Sequence, residues 1–155
     1  MKRVLVVVLL IASLQIRAQE AEINQLMDDW HQAAANAANA DYESYFDVIA
    51  EDGYYLGTDE SEVWTKGEFQ AFCEPYFAQK NTWDFHPKRR KVFLSQDQKM
   101  AWFEEVLETW MGPCRGSGVL MHDGAQWQIK QYNLAVLVSN ENIKSYLEIL
   151  AREKK

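Results

Sequence analysis

Three long strand-like segments run in succession through the second half of the chain, and they limit what it can fold into. Lys99 to Met111 reads Lys-Met-Ala-Trp-Phe-Glu-Glu-Val-Leu-Glu-Thr-Trp-Met and is broken by Gly112-Pro113. Cys114 to Met121 follows, then a turn at Asp123-Gly124, then Gln126 to Val138. Segments of this length joined by tight turns pair as an antiparallel meander. They mix charged and amide side chains with tryptophans, so one face of a curved sheet is expected to form a pocket.

The first half is mostly helical. Between Glu20 and Asn39 the apolar positions Ile23, Leu26, Met27, Trp30, Ala34 and Ala37 recur at three- and four-residue steps, one face of a helix. Asp41 is placed to cap a short second helix bearing Tyr42, Tyr45, Phe46 and Ile49. A turn at Glu51-Asp52-Gly53, a short strand from Tyr54 to Gly57 and a polar loop from Thr58 to Val63 follow. Thr65-Lys66-Gly67-Glu68 matches a capping box. It opens a helix with Phe69, Phe72, Cys73, Tyr76 and Phe77 on its buried side, which Pro75 should kink. Asn81 to Ser95 reads as strand in two pieces around Pro87, with Trp83 and Phe85 sharing a face. Ser95 to Gln98 makes a turn, and Asn140 is expected to cap a terminal helix carrying Ile143, Tyr146, Leu147 and Leu150. The order is α+β, with helices covering one face of the sheet.

A basic start, Met1-Lys2-Arg3, precedes an apolar run from Val4 to Leu14, and Ile16-Arg17-Ala18 offers a cleavage site. This is the form of a signal peptide over residues 1–18, ahead of one domain at 20–150. The run is too short to span a bilayer comfortably, so an exported protein without stable membrane insertion is expected. Cleavage removes Lys2, Arg3 and Arg17 and takes the net charge from −7 to −10. Such acidity repels nucleic acid and anionic membrane surfaces. Lys88-Arg89-Arg90-Lys91 stands against the trend and reads as a solvated strand edge kept from aggregating by charge. Cys73 and Cys114 could pair in an oxidising compartment, although two cysteines define no framework. His31, His86 and His122 are scattered singly, and no metal or cofactor motif is expected.

Several short motifs recur in a familiar order: Trp30 ahead of an alanine-rich helix end, Asp41, Gly57-Thr58-Asp59, Trp64-Thr65-Lys66-Gly67, Ala101-Trp102-Phe103 and Gly124-Ala125-Gln126-Trp127-Gln128-Ile129. From about Ile23 to Val138 the chain resembles SnoaL-like members of the nuclear transport factor 2-like superfamily. The resemblance implies a cone, a strongly bent antiparallel sheet wrapped around a cavity and roofed by the first and third helices, often as a homodimer through the outer sheet. Its ketosteroid-isomerase type uses a first-helix tyrosine and a carboxylate near the end of the first strand. Here Ala33, Ala34 and Ala35 occupy that helix stretch, and Asp59 lies two residues past Gly57. Many relatives end the last strand with two histidines; this chain has Gln131 and Asn133, which bind ligands but do not shuttle protons near neutral pH.

Alternation on the longest strand puts Trp102, Glu104, Val106, Glu108 and Trp110 on one face and Phe103, Glu105, Leu107 and Thr109 on the other. Pattern alone does not choose the concave one; the resemblance favours Trp102 and Glu104. Glu104 is then either a desolvated general acid or base or a rim carboxylate paired with Arg115. Asp59 is a candidate base or a turn residue. Arg115, with Gly116 and Gly118 nearby, is a candidate anchor for an acidic ligand group. Tyr55, Trp64 and Trp83 are cavity walls or core. Three readings follow: a small-molecule-binding protein, with Tyr55, Trp64, Trp83, Trp102, Arg115, Gln131 and Asn133 around the ligand; a cofactor-independent isomerase, dehydratase or cyclase using Asp59 or Glu104 as base; and a dimeric interaction module without a ligand.

Overall fold

The computed structural model describes residues 2–35 and 37–153. Helix α1 (Lys2–Ala35) leads through a 3-10 turn at Ala37–Asn39 to α2 (Tyr42–Asp47). Strands β1 (Ile49–Leu56) and β2 (Val63–Thr65) precede α3 (Lys66–Ala78). Four strands follow, β3 (His86–Leu94), β4 (Met100–Thr109), β5 (Gly112–His122) and β6 (Trp127–Val136). A 3-10 turn and α4 (Ile143–Glu153) end the described chain. Met1, the first residue of the expected leader, lies outside the described residues.

The six strands form one curved sheet in the order β2-β1-β6-β5-β4-β3. All neighbours are antiparallel except β1 and β6, which run parallel with Tyr55 opposite Tyr132. The expected meander is β3 to β6. Helix starts obey local chemistry. The Asp41 carboxylate accepts from Ser44 N at 3.1 Å, and Thr65 and Glu68 form the capping box, each side chain accepting from the other's backbone. Helix α3 runs on through Pro75 to Ala78, where Gln79 N donates to Pro75 O at 3.0 Å.

Four expectations are corrected. Ile49 and the expected turn at Glu51-Asp52-Gly53 belong to strand β1, whose register against β6 shifts between Ile49 and Tyr54. The polar loop after Gly57 is shorter than expected, because 63–65 fold back as β2 with Trp64 opposite Tyr55. Residues 81–85 carry an alternating pattern yet have no strand partner; the chain is irregular there until His86. The first helix ends at Ala35, where Ala33 O accepts from Asp41 N and Ala34 O from Thr82 Oγ1.

The core lies between helices and the concave sheet face. Ile23, Met27, Trp30 and Ala34 of α1 pack with Tyr45, Phe46, Phe69, Phe103, Leu107, Trp127, Ile129 and Tyr132. Trp30 donates to Tyr45 O at 3.0 Å, and its ring meets Tyr132 edge-on, with centroids 4.7 Å apart. The deep end of the cone is therefore filled by the protein's own rings. On β4 the inward residues are Ala101, Phe103, Glu105 and Leu107, so the face of Trp102 and Glu104 is the convex one.

Candidate functional site

The hollow lies at the mouth of the cone, a half-open pocket of about 420 Å³. Tyr55 of β1 and Leu134 of β6 belong to its sheet side, and α3 contributes Phe69, Phe72 and Tyr76. The last three recur at three- and four-residue steps, so one helical face supplies a whole aromatic wall. Trp64 of β2 stacks on Phe72 with centroids 4.7 Å apart, and Phe69 stacks on Tyr55 at 3.9 Å. The opposite wall is Asn81, Thr82, Trp83 and Phe85, from the irregular segment that Thr82 ties to the end of α1. Trp110 and Met111, at the tip between β4 and β5, complete the rim.

Polar groups are few. Thr58 and Glu62 stand on the loop between β1 and β2. Gly57 N donates to Glu62 O at 2.9 Å, and Glu62 Oε2 accepts from Asp59 N at 3.2 Å. A Cβ at position 57 would lie 2.1 Å from Glu62 Oε2, so only glycine leaves room for the carboxylate to fold back over the strand end. The Tyr55 hydroxyl is pushed above its ordinary range by burial first and then by nearby groups including Cys73 and Glu62. It stays protonated and can donate.

A second polar cluster lies behind the pocket. Glu105, fully shielded, takes Tyr132 Oη at 2.9 Å and His31 Nε2 at 2.8 Å on Oε1, and Arg90 Nε at 2.8 Å on Oε2. Arg90 also donates to Asp28 at 2.8 Å and to Asn24 O at 3.0 Å. Burial alone would raise the Glu105 carboxyl; the hydrogen bond and charge of His31, the charge of Arg90 and the Tyr132 hydroxyl outweigh it and hold the group below its ordinary value. Gly116 sits against this cluster, since a Cβ there would stand 2.3 Å from Tyr132 Oη and 2.6 Å from Glu105 Oε1. Tyr55 and Tyr132 stack at 5.5 Å, and none of Glu105, His31 and Tyr132 lines the pocket. The cluster braces α1 against the sheet.

Of the residues singled out in the sequence, Tyr55, Trp64 and Trp83 line the pocket. The others lie elsewhere. Asp59 closes its own turn, accepting from Ser61 N at 2.9 Å and Ser61 Oγ at 2.5 Å. Those two bonds, the hydroxyl first, hold its carboxyl below the ordinary range. Glu104 lies on the convex face in an ion pair with Arg89, not Arg115. Trp102 stacks on Phe93 on the same face and is 43% exposed. Arg115 alternates with the inward Cys114 and Gly116 and so points outward. Gln131 and Asn133 flank the inward Tyr132 and face outward as well. The basic run is divided too: Lys88 and Arg89 are exposed, while the Arg90 side chain is only 4% exposed. Cys73 and Cys114 are buried free thiols.

Glu62 was missed. Once 63–65 are recognised as a strand, period-two alternation puts Glu62 on the side of Trp64, so the missing step was the hairpin. Trp110 was assigned to the face of Trp102, but it sits in the turn, where alternation lapses. Among the described residues no group of three or more His, Cys, Asp or Glu is placed to hold a metal ion, and no helix is long and apolar enough to cross a membrane.

Comparison with curated protein sequences finds no match. Among solved structures, an NTF2-like protein with a cystatin-like fold from Novosphingobium aromaticivorans superposes with a TM-score of 0.67 at 15% identity, over 88% of this chain and 93% of that one. An NTF2-like protein of unknown function from Pseudomonas putida KT2440 gives 0.66 at 18% identity, over 81% and 92%. A protein from Novosphingobium aromaticivorans with the provisional name scytalone dehydratase gives 0.64 at 12%, over 78% and 85%. These similarities establish the fold. Residues 23–139 match the model of the SnoaL-like domain, the span that holds every element of the sheet and the pocket: the chain belongs to the SnoaL-like domain family.

Proposed function

We propose that this protein is exported and binds a small, largely apolar molecule at the mouth of the cone. The observation that supports the reading is the pocket wall: eight aromatic residues around about 420 Å³, with Thr58, Glu62, Asn81 and Thr82 as its polar side chains. Ligand sites typically combine apolar walls with a few fixed polar groups in volumes of this order. Export is supported by the exposure of Gln15 to Ala18 ahead of the proposed cleavage site, and Ile23 is the first buried residue among those whose side chains are described. Asp59 and Glu104 are both engaged by other groups and lie off the pocket, so catalysis through either as base finds no support.

The test is titration with the neutral dye N-phenyl-1-naphthylamine, whose fluorescence rises in apolar sites. Saturable one-to-one binding, lost in Trp83→Ala and Phe72→Asp variants that keep the wild-type circular dichroism, is the expected result. No saturable binding, or binding that both variants retain, rules the pocket out.

We further infer that the convex face pairs two copies of the chain. Phe93, Met100, Trp102 and Met121 are each about two-fifths exposed there, and register makes them one patch: Phe93 lies opposite Trp102, Met100 opposite Met121.

A further inference from the structure

We infer that the preferred occupant of this pocket carries a positive charge: an apolar cation of the quaternary ammonium or aromatic amine class, seated among aromatic faces beside Glu62. The inference rests on the ligand-binding reading above and narrows it. No lysine, arginine or histidine among the described residues lines the pocket, and Glu62 is its one charged side chain. Among the described residues no ion pair uses Glu62, and the one hydrogen bond to its carboxylate comes from the Asp59 backbone amide to Oε2, leaving Oε1 unclaimed. The bond from Asp59 N and the space over Gly57 hold the carboxylate in place before any ligand arrives.

The walls select the same charge. Trp64 and Phe72 stack nearly parallel, 24° between planes, and Tyr76 meets Trp83 at 65°. Eight aromatic rings at differing angles line one volume, and a ring face that a ligand meets carries the negative part of the quadrupole. A cation gains from any face it meets and from Glu62. A carboxylate ligand would meet repulsion from Glu62 and find no cationic partner, and the one arginine proposed for that role, Arg115, points outward. The net charge of −7 favours approach of cations as well.

The test uses a pair of probes matched in shape, phenyltrimethylammonium and its neutral isostere tert-butylbenzene, each displacing N-phenyl-1-naphthylamine from the intact protein. The cation is expected to bind about tenfold more tightly than the isostere. Glu62→Gln keeps an oxygen to accept from Asp59 N and removes only the charge, so it should cut that ratio, read against the variant's own dye affinity, by about threefold or more. A wild-type ratio of one or below, or an unchanged ratio in Glu62→Gln, overturns the inference. Displacement by tert-butylbenzene alone removes this inference and leaves the pocket standing; failure of the dye itself to bind removes both.

Discussion

Nε2 of His31 and Oε1 of Glu105 meet 2.8 Å apart across 74 positions of sequence, joining the C-terminal end of α1 to the centre of β4 in the buried interior. The contact gives folding a pH dependence of definite sign. Because the folded-state carboxyl of Glu105 is held below its ordinary value of 4.5, its contribution is present above that value. It is lost as the pH falls through the lower folded-state pKa. Urea unfolding from pH 7 to pH 3 should show stability falling below about pH 4.5. In Glu105→Gln, which strands Arg90 beside an amide, stability at pH 7 should drop by about 3–5 kcal/mol and the acid limb should become shallower. An acid limb identical to wild type would place the titration elsewhere.

Gly116 and Tyr132 test the same brace by volume. A methyl group at position 116 would overlap the Tyr132 hydroxyl and the Glu105 carboxylate, both shut in by neighbouring strands. Gly116→Ala should therefore cost about 1–3 kcal/mol in urea unfolding. Tyr132→Phe removes one hydrogen bond on a buried charge and should cost about 1.5–3 kcal/mol. In the double variant the methyl meets less resistance, so the combined cost should be smaller than the separate costs together. Strict additivity would mean that the two side chains do not share this space.

Pairing through the convex face predicts a dimer that one outward charge disrupts. Trp102 is half-open to solvent and stacks only on Phe93, so Trp102→Lys leaves the interior untouched. Light scattering coupled to gel filtration should give twice the chain mass for wild type and the chain mass for the variant, with unchanged circular dichroism. A wild-type protein that is monomeric at every concentration tried is evidence against the convex-face pair.

What could be read from the sequence follows the range of the forces involved. The Asp41 cap and the Thr65–Glu68 box were legible because donor and acceptor are three residues apart. The inward face of β4 was not, because both of its faces alternate apolar with acidic residues. What decides between Glu104 and Glu105 is the pairing of Glu105 with Arg90 on the neighbouring strand and with His31 on α1. The same pairing took Arg90 out of a run that composition assigns to solvent. At 81–85 the alternation of Trp83 and Phe85 is real, but both side chains serve the pocket and its margin of core, and no strand lies alongside to make a ladder. The pocket itself was half visible: its tryptophans stand out in composition, whereas Glu62 needs the hairpin to be known first.

Removal of the proposed leader should leave the fold intact. The side chains of Gln15 to Ala18 are exposed, and among the described side chains Ile23 is the first fully buried one, four positions beyond Gln19. The family match also begins at residue 23. A chain starting at Gln19 keeps the whole family span and the buried residues from Ile23 on, and should unfold at a denaturant midpoint within error of the full chain. One starting at Gln25, which lacks Ile23 and the Asn24 carbonyl that accepts from Arg90, should be less stable by about 2–5 kcal/mol. When the full gene is expressed in a bacterium, N-terminal sequencing of the exported fraction should read Gln19-Glu20-Ala21. Retention of Met1 would remove the export proposal while leaving the pocket and its brace as they stand.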